Sequence, residues 1–213
     1  MAEFAVIGMG RFGRAVARNL ALEGQAVLAI DRDPDRLDAV APDIESVASM
    51  DTTQEEKVKD LRLHRMSCVV VAIGSRATEA SILTTAILRE LGVGRIVARS
   101  FDEKHARLLL TVGAHEVLNP EDEIGRRLAT RLAFPDIFDL IKLGEAVLAE
   151  VEAPEAFDGR RLEELHHYDL SVLAIRRGAE TLVKPAGDVA VAGGDLLVVL
   201  GHPDAIRQVA DLL

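Results

Sequence analysis

Short apolar runs rich in Val and Ile recur along the first part of the chain. They are Phe4–Ile7, Ala26–Ile30, Val47–Ala48, Cys68–Ile73, Arg95–Arg99 and Glu116–Leu118. The run "CVVVAI" has no polar alternation, which is the signature of a strand covered on both faces. Between the runs lie segments with helical spacing. Phe12, Val16 and Leu20 form one stripe, and Gly24 stops that helix. Asp33-Pro34 opens a second helix, because proline suits the first helical turn. Thr53 to Leu61 and Thr78 to Leu91 predict two more, the latter stopped by Gly92, and Asp102 caps a fifth that ends at Gly113. Strands alternating with helices predict an α/β fold with a doubly wound, Rossmann-like parallel sheet.

After Asn119-Pro120 the rhythm changes. Ile124, Leu128 and Leu132 form a helical stripe that Pro135 breaks, and "DIFDLIKL" follows with five apolar residues in eight. The parallel sheet is already complete, so this segment has no face waiting for it. Two readings remain open: a helical arm that crosses onto a second subunit through an exposed apolar patch, or a linker helix folded back on its own domain. From Glu145 onward the pattern is that of a second, smaller α+β domain. "EAVLAEVEA", "LSVLAIRR" and Thr181–Val183 read as strands, and Arg160 to Leu165 as a helix. Gly193-Gly194-Asp195 turns into the strand "LLVVL", and Pro203 starts a final helix with Ile206, Val209 and Leu213 on one side.

Composition narrows the classes. A chain of 213 residues with 49% hydrophobic and 28% charged residues is ordinary for a globular protein. A net charge of -10 excludes a general affinity for nucleic acid or anionic lipid, which need a basic surface. Aromatics make up 3% with no Trp, so there is no base-stacking platform. The single cysteine, Cys68, excludes an internal disulfide and reads as a small buried hydrophobe. With no signal peptide and no run long enough to span a bilayer, the expected location is the cytoplasm.

The candidate chemistry begins at "AVIGMGRFGRAVA". Gly8, Gly10 and Gly13 follow a strand and open a helix, the setting in which this spacing cradles a pyrophosphate on backbone N–H groups. Asp31, at the end of the second strand, is placed to accept from both ribose hydroxyls and to repel a 2′-phosphate, which favours adenosine, NAD or an adenine nucleotide. Arg11 lies inside the turn, where it either folds over the phosphates or remains a solvated surface residue. Other strand ends open into the same cleft: Asp51-Thr52, Gly74-Ser75, Arg99-Ser100 and then Glu121. Asp51 contacts ligand or only caps the next helix, and Arg99 binds phosphate or salt-bridges a neighbouring helix.

Visible reaction chemistry is missing. A dehydrogenase needs a proton-transferring group beside the nicotinamide. Of six scattered histidines only His105 falls near the cleft, while the adjacent pair His166-His167 points apart and reads as surface. The chain thus has a nucleotide site without visible chemistry, and two readings stand: a nucleotide that acts as a signal, or an NAD-dependent oxidoreductase with a small substrate lobe.

The segments "FAVIGMGRFG", "VLAIDRD", "VVVAIGS", "GAHEVLNPEDEIG" and "VLAIRRG…PAGDVAVAGGDLLVVLG" together resemble the regulatory subunits of Ktr/Trk-type potassium uptake systems. The resemblance covers essentially the whole chain. It implies a nucleotide-binding RCK (regulator of potassium conductance) N-lobe over 1–122, a crossover helix or hinge over 123–143 and an RCK C-lobe over 144–213. It also implies homodimers that assemble into an octameric ring on the cytoplasmic face of a membrane potassium transporter. ATP and ADP would hold that ring in different shapes, with NAD(H) as a further ligand, and no reaction would be catalysed. By the same resemblance Arg11 reads the terminal phosphate, Asp31 and Asp33 hold the adenosine ribose, and Arg99 contributes at the phosphate side. Phe12, Arg32, Asp51, Thr52, Gly74, Ser75 and His105 complete the nucleotide set, and Glu121 would hold a divalent cation, Mg or Ca, between γ-phosphates of paired subunits. Asp33 stands where many relatives have Asn. The stretch "HHYDLSVLAI" lacks the Arg/Asn-rich pattern of C-lobes that bind cyclic di-AMP, so that ligand is not carried over.

Overall fold

A computed structural model of the chain describes residues 3–133 and 137–210. It divides into two compact units, Met1–Glu121 and Asp122–Leu213.

In the first unit six parallel strands, β1 (Glu3–Ile7), β2 (Ala26–Asp31), β3 (Ser46–Ser49), β4 (Cys68–Val71), β5 (Ile96–Arg99) and β6 (Glu116–Leu118), lie in the order β3-β2-β1-β4-β5-β6. The helices between them are α1 (Arg11–Leu22), α2 (Pro34–Asp38), α3 (Glu55–Asp60), α4 (Thr78–Glu90) and α5 (Glu103–Thr111). The apolar runs explain the layers. Ala5, Ile7, Val69, Val71, Ile96 and Ala98 join one buried cluster, with Ile87 and Leu88 of α4 and Leu109 of α5. Val6, Cys68, Val70 and Val97, their neighbours along the same strands, join the other, with Ala17 of α1 and Leu37 of α2. Each strand thus feeds both faces by its two-residue alternation, which requires apolar residues at every position. The chain leaves β1 toward β2 on one side and reaches β4 on the other, so the crevice where ligands collect opens at the carboxyl ends of β1 and β4.

Helix ends follow the local chemistry. Asp33 caps α2 by accepting from the Asp35 N–H at 3.1 Å, and Asp102 caps α5 by accepting from the His105 N–H at 2.7 Å. The helix expected from Thr53 is shorter, α3 beginning at Glu55, and the strand expected to reach Ile73 ends at Val71.

Helix α6 (Pro120–Ala133) carries the expected stripe, and Ile124, Leu128 and Leu132 are all exposed on it. The second unit has five antiparallel strands: β7 (Ile137–Leu143), β8 (Ala146–Glu152), β9 (Leu170–Arg177), β10 (Glu180–Val183) and β11 (Leu196–Gly201), in the order β10-β9-β11-β8-β7. A final helix, α7 (Pro203–Ala210), sets Ile206 and Val209 into the core formed by Val147, Ala149, Val151, Leu197 and Val199. Leu213 lies outside the described residues. A 3-10 helix, Leu162–Tyr168, stands where Arg160 to Leu165 suggested a helix.

One expectation is corrected. "DIFDLIKL" is not helical: it forms β7, paired with β8 from Leu143↔Ala146 to Ile137↔Val151. The range 123–143 therefore holds a helix and then a strand. The cause is the two-residue link Gly144-Glu145, where Gly144 has φ 66°, a conformation that closes a tight hairpin. Once the chain reverses there, pairing with β8 satisfies the backbone groups on the side of the segment that faces β8.

At the tip of the second unit Asp195 is buried yet fully engaged. Arg177 donates Nε to Oδ1 at 2.8 Å and Nη2 to Oδ2 at 2.7 Å, and the Ala192 N–H donates to Oδ2 at 2.8 Å. The Arg177 guanidinium holds the Asp195 carboxyl below the usual carboxylate range, and the Ala192 N–H adds to it.

Candidate functional site

The site begins where β1 ends. Gly8 turns the chain with φ 98° and donates its N–H to the Ile30 carbonyl at 2.7 Å. A Cβ on Gly13 would stand 1.8 Å from the Gly8 carbonyl oxygen, so only glycine lets α1 pack this closely on the turn. Gly10 differs: a Cβ there would meet nothing within 4 Å. Its missing side chain leaves open space in front of the helix end. Gly10 is also the residue before α1, with no side-chain cap and no acidic residue in the first turn. The leading N–H groups of a helix lack intrahelical partners and attract an anion.

A cavity of about 440 Å³ opens at this point, within the range of small-ligand sites. Gly8, Gly10, Asp31, Arg32, Asp51, Thr52, Gly74, Ser75 and Arg99 line it, all of them sequence candidates. Met50, beside Asp51 at the same strand end, lines it too, with Ile7, Ala72, Ile73, Ala77 and Ala80, which sequence reasoning missed as it missed the charged Arg36 and Arg76. Four arginines thus face two aspartates around one cavity, in a chain whose net charge is -10. That local reversal of sign suits a polyanion.

At the β2 end, Asp31 is buried and its Oδ2 accepts the Met9 N–H at 2.6 Å, while Oδ1 accepts the Asp33 N–H at 3.0 Å. Arg36 reaches Asp31 at 3.6 Å and Asp33 at 3.2 Å, so one guanidinium ties both carboxylates. Ionised carboxylate oxygens retain capacity for further donors, such as ribose hydroxyls. Asp51 Oδ1 accepts from the Thr53 hydroxyl at 2.7 Å and the Thr53 N–H at 3.0 Å. The Thr53 hydroxyl first, then its N–H and the nearby Arg32 and Lys57 charges, hold the Asp51 carboxyl below its ordinary value. Asp51 therefore shapes the turn before α3 and faces the cavity as well. Thr52 is buried, with its hydroxyl 2.9 Å from that of Thr84.

Arg99 joins several parts of the site. It lines the cavity, its guanidinium lies 5.6 Å from the centre of the Phe12 ring, and its Nη2 donates to Glu121 Oε1. Its Nε is buried without a hydrogen-bond partner among the described residues. Arg11 is exposed at the turn and does not line the cavity, nor do Phe12, Gly13, Asp33, His105 and Glu121. His105 is 2% exposed and stacks on Phe101 with ring centres 4.1 Å apart. Burial pushes its pKa below the ordinary value, and both ring nitrogens are buried without a hydrogen-bond partner among the described residues. The side chains of His166 and His167 lie outside the described residues.

The donor set does not fit a divalent cation within one chain. Glu121 is engaged by a cationic guanidinium, and no group of three or more His, Cys, Asp or Glu side chains gathers among the described residues. Nor is any helix among the described residues long and apolar enough to cross a membrane.

Comparison with known proteins agrees with this architecture. Residues 4–120 match the TrkA-N domain and residues 146–213 the TrkA-C domain. The chain belongs to the family of regulatory subunits of Ktr/Trk-type potassium uptake systems. Ktr system potassium uptake protein C of Bacillus subtilis is 36% identical over 210 residues, covering 97% of this chain and 95% of the relative. Ktr system potassium uptake protein A of Vibrio alginolyticus is 33% identical over the same length, with 97% and 95% covered. Among solved structures, the GsuK channel superposes with a TM-score of 0.69 at 17% identity, covering 97% of this chain and 38% of the channel chain. A GsuK channel bound to NAD gives 0.54 at 23% identity, covering 100% and 38%. At these identities the structures speak for the fold alone.

Proposed function

We propose that this chain is the nucleotide-sensing, non-catalytic gating subunit of a membrane potassium transporter, working as a ring of homodimers at the cytoplasmic face. The observation that carries the proposal is the arginine-rich cavity at the uncapped start of α1, with Gly10 leaving space for a pyrophosphate. The names of the relatives, potassium uptake proteins, support a membrane potassium transporter as the partner. Adenine nucleotides suit the cavity, with Asp31 at the ribose and Asp33 tied to it through Arg36, the first turn of α1 at the phosphates, and Arg99 beside them. NAD(H) satisfies the same adenosine and pyrophosphate contacts and is a second ligand of the site.

Switching follows from differential binding. A ligand shifts an equilibrium only by its difference in affinity between two states. ATP differs from ADP by the γ-phosphate, and the exposed Arg11 beside the turn is the group free to reach it. Moving a ring from 1:99 to 99:1 takes roughly 5.5 kcal/mol. Charge-assisted contacts at about 1.5–3 kcal/mol each, summed over several subunits, suffice. A divalent cation held by Glu121 belongs to the proposal only with oxygen ligands added by the nucleotide and a second copy. Titration calorimetry tests the reading: Arg11→Ala keeps ADP affinity and loses the preference for ATP. Equal loss of both affinities, or no change in either, contradicts it. Steady turnover of NADH with small hydroxy acids or aldehydes would favour the oxidoreductase alternative instead.

A further inference from the structure

The antiparallel sheet of the second unit ends on one side at β10, which therefore has one edge bonded to β9 and one edge free. Gly178-Ala179, with Gly178 at φ 60°, links the two strands, and their pairs run from Glu180↔Arg177 to Val183↔Ala174. Lys184 continues the ladder by donating its N–H to the Leu173 carbonyl at 2.8 Å. Bonded pairs alternate along an antiparallel ladder. Glu180, Leu182 and Lys184 thus direct their backbone groups to β9, while Thr181 and Val183 direct theirs outward.

This edge also carries apolar surface. Leu182 stands opposite Ile175, so the two share a face, yet Ile175 is 2% exposed and Leu182 47%. The core stops one strand short of the edge. Val183 beside it is 67% exposed. An edge defended against pairing carries charge along the strand. Here Thr181, Leu182 and Val183 are uncharged, and the charges stand at the two ends with opposite sign, Glu180 before them and Lys184 after. Both are exposed, and neither joins an ion pair within the chain among the described residues.

We propose that β10 is a seam between two copies of this chain, paired antiparallel about a two-fold axis at Leu182. In that register Thr181 faces Val183 of the second copy, and the outward N–H and C=O groups of each find partners. Leu182 covers its own counterpart, and Glu180 meets Lys184 of the second copy at both ends. Sliding the copies by two residues either way sets Glu180 or Lys184 against leucine, so opposite charge selects the register. The contact is isologous and closes on itself, joining the two sheets by strand addition. It concerns the second unit alone and is independent of the nucleotide reading of the first.

Oxidative cross-linking of the full chain tests the seam. Cys68 is the only cysteine, and Cys68→Ala supplies a background without one. In it Leu182→Cys sets two thiols at the axis, where facing residues lie about 4.5 Å apart at Cα, within the span of a disulfide. Oxidation converts this variant to a covalent dimer. Ala179→Cys, in the hairpin link, lies about six residues along the strand from its counterpart, roughly 20 Å, and cross-links at least about fivefold less. Within the Leu182→Cys chain, Glu180→Lys lowers the yield at least about threefold, and Glu180→Lys/Lys184→Glu restores it by re-forming the pair with its sign reversed. Val183→Pro removes an outward N–H, leaves the ladder to β9 intact and lowers the yield likewise. Thermal melts of each variant check that the fold is kept. No covalent dimer from Leu182→Cys, or equal cross-linking by Ala179→Cys, overturns the proposal. A double charge variant that cross-links no better than Glu180→Lys alone also overturns it.

Discussion

The carboxylate of Asp31 accepts the backbone N–H of Met9 at 2.6 Å, across 22 residues of sequence. The bond fastens the end of β2 to the middle of the glycine turn, so one buried side chain fixes two parts of the cavity's rim. Asp31→Asn keeps the shape but replaces a charged acceptor with a neutral one. It lowers stability by about 1–3 kcal/mol, read from urea unfolding, and weakens ADP binding in the same protein. Unaltered stability would show that the turn holds itself.

Gly10 and Gly13 belong to the same motif but fail differently. Gly13→Ala drives a methyl group into the Gly8 carbonyl, 1.8 Å away, and destabilises the fold by about 3 kcal/mol or more. Gly10→Ala places its methyl in open space and changes stability by less than about 0.5 kcal/mol. With the pyrophosphate placed there as proposed, it nevertheless lowers ADP affinity about tenfold or more. Paired thermal melts and calorimetry separate the two. Equal behaviour of the two variants would remove the distinction between packing glycine and ligand glycine.

His105 gives the first unit a mild acid sensitivity. Burial lowers its pKa from the ordinary 6.5, with Asp102 opposing the shift in part. The unfolded chain therefore takes up a proton first, and stability falls as pH drops below the unfolded value toward the folded one. Urea unfolding at about pH 7.5 and about pH 5.5 shows the fall, and His105→Phe, which retains an aromatic ring against Phe101, reduces it. An undiminished fall in that variant would assign the sensitivity elsewhere.

Asp195 acts at lower pH in the second unit. Its folded pKa is depressed by Arg177, below the ordinary 3.8, so its contribution is complete above that value and is lost as pH falls through the folded pKa. Asp195→Ala strips partners from Arg177 and from the Ala192 N–H and costs about 1–3 kcal/mol near neutrality. It also flattens the acid limb of the stability profile. An acid limb identical to wild type would contradict this account of the pair.

Much of this was legible in the sequence. Continuous apolar strands at β1, β4 and β5 leave no solvent face, which dictates helices on both sides. The glycine turn is legible because Gly8, Gly10 and Gly13 run from the end of a strand into the first turn of a helix, with Asp31 one strand further on. The β7 segment was not legible from its apolar residues, since Ile137, Leu140, Ile141 and Leu143 satisfy helical spacing too. The available signal was Gly144-Glu145, a two-residue hairpin link between apolar runs. Arg36 and Arg76 escaped because they sit on elements after the strand ends, and only the folded chain brings them to the cavity. His105 differs: it is near the cleft in sequence, but it stacks on Phe101 at the capped start of α5 and does not line the cavity.

The central claim is that the terminal charge of an adenine nucleotide selects a quaternary shape. Native mass spectrometry with ion mobility on the full chain, loaded with ATP and then with ADP, reads assembly, bound ligand and cross-section together. The account predicts a multimer carrying nucleotide, with different cross-sections for the two ligands. A monomer under both conditions, or one multimer of identical cross-section with ATP and with ADP, would contradict it.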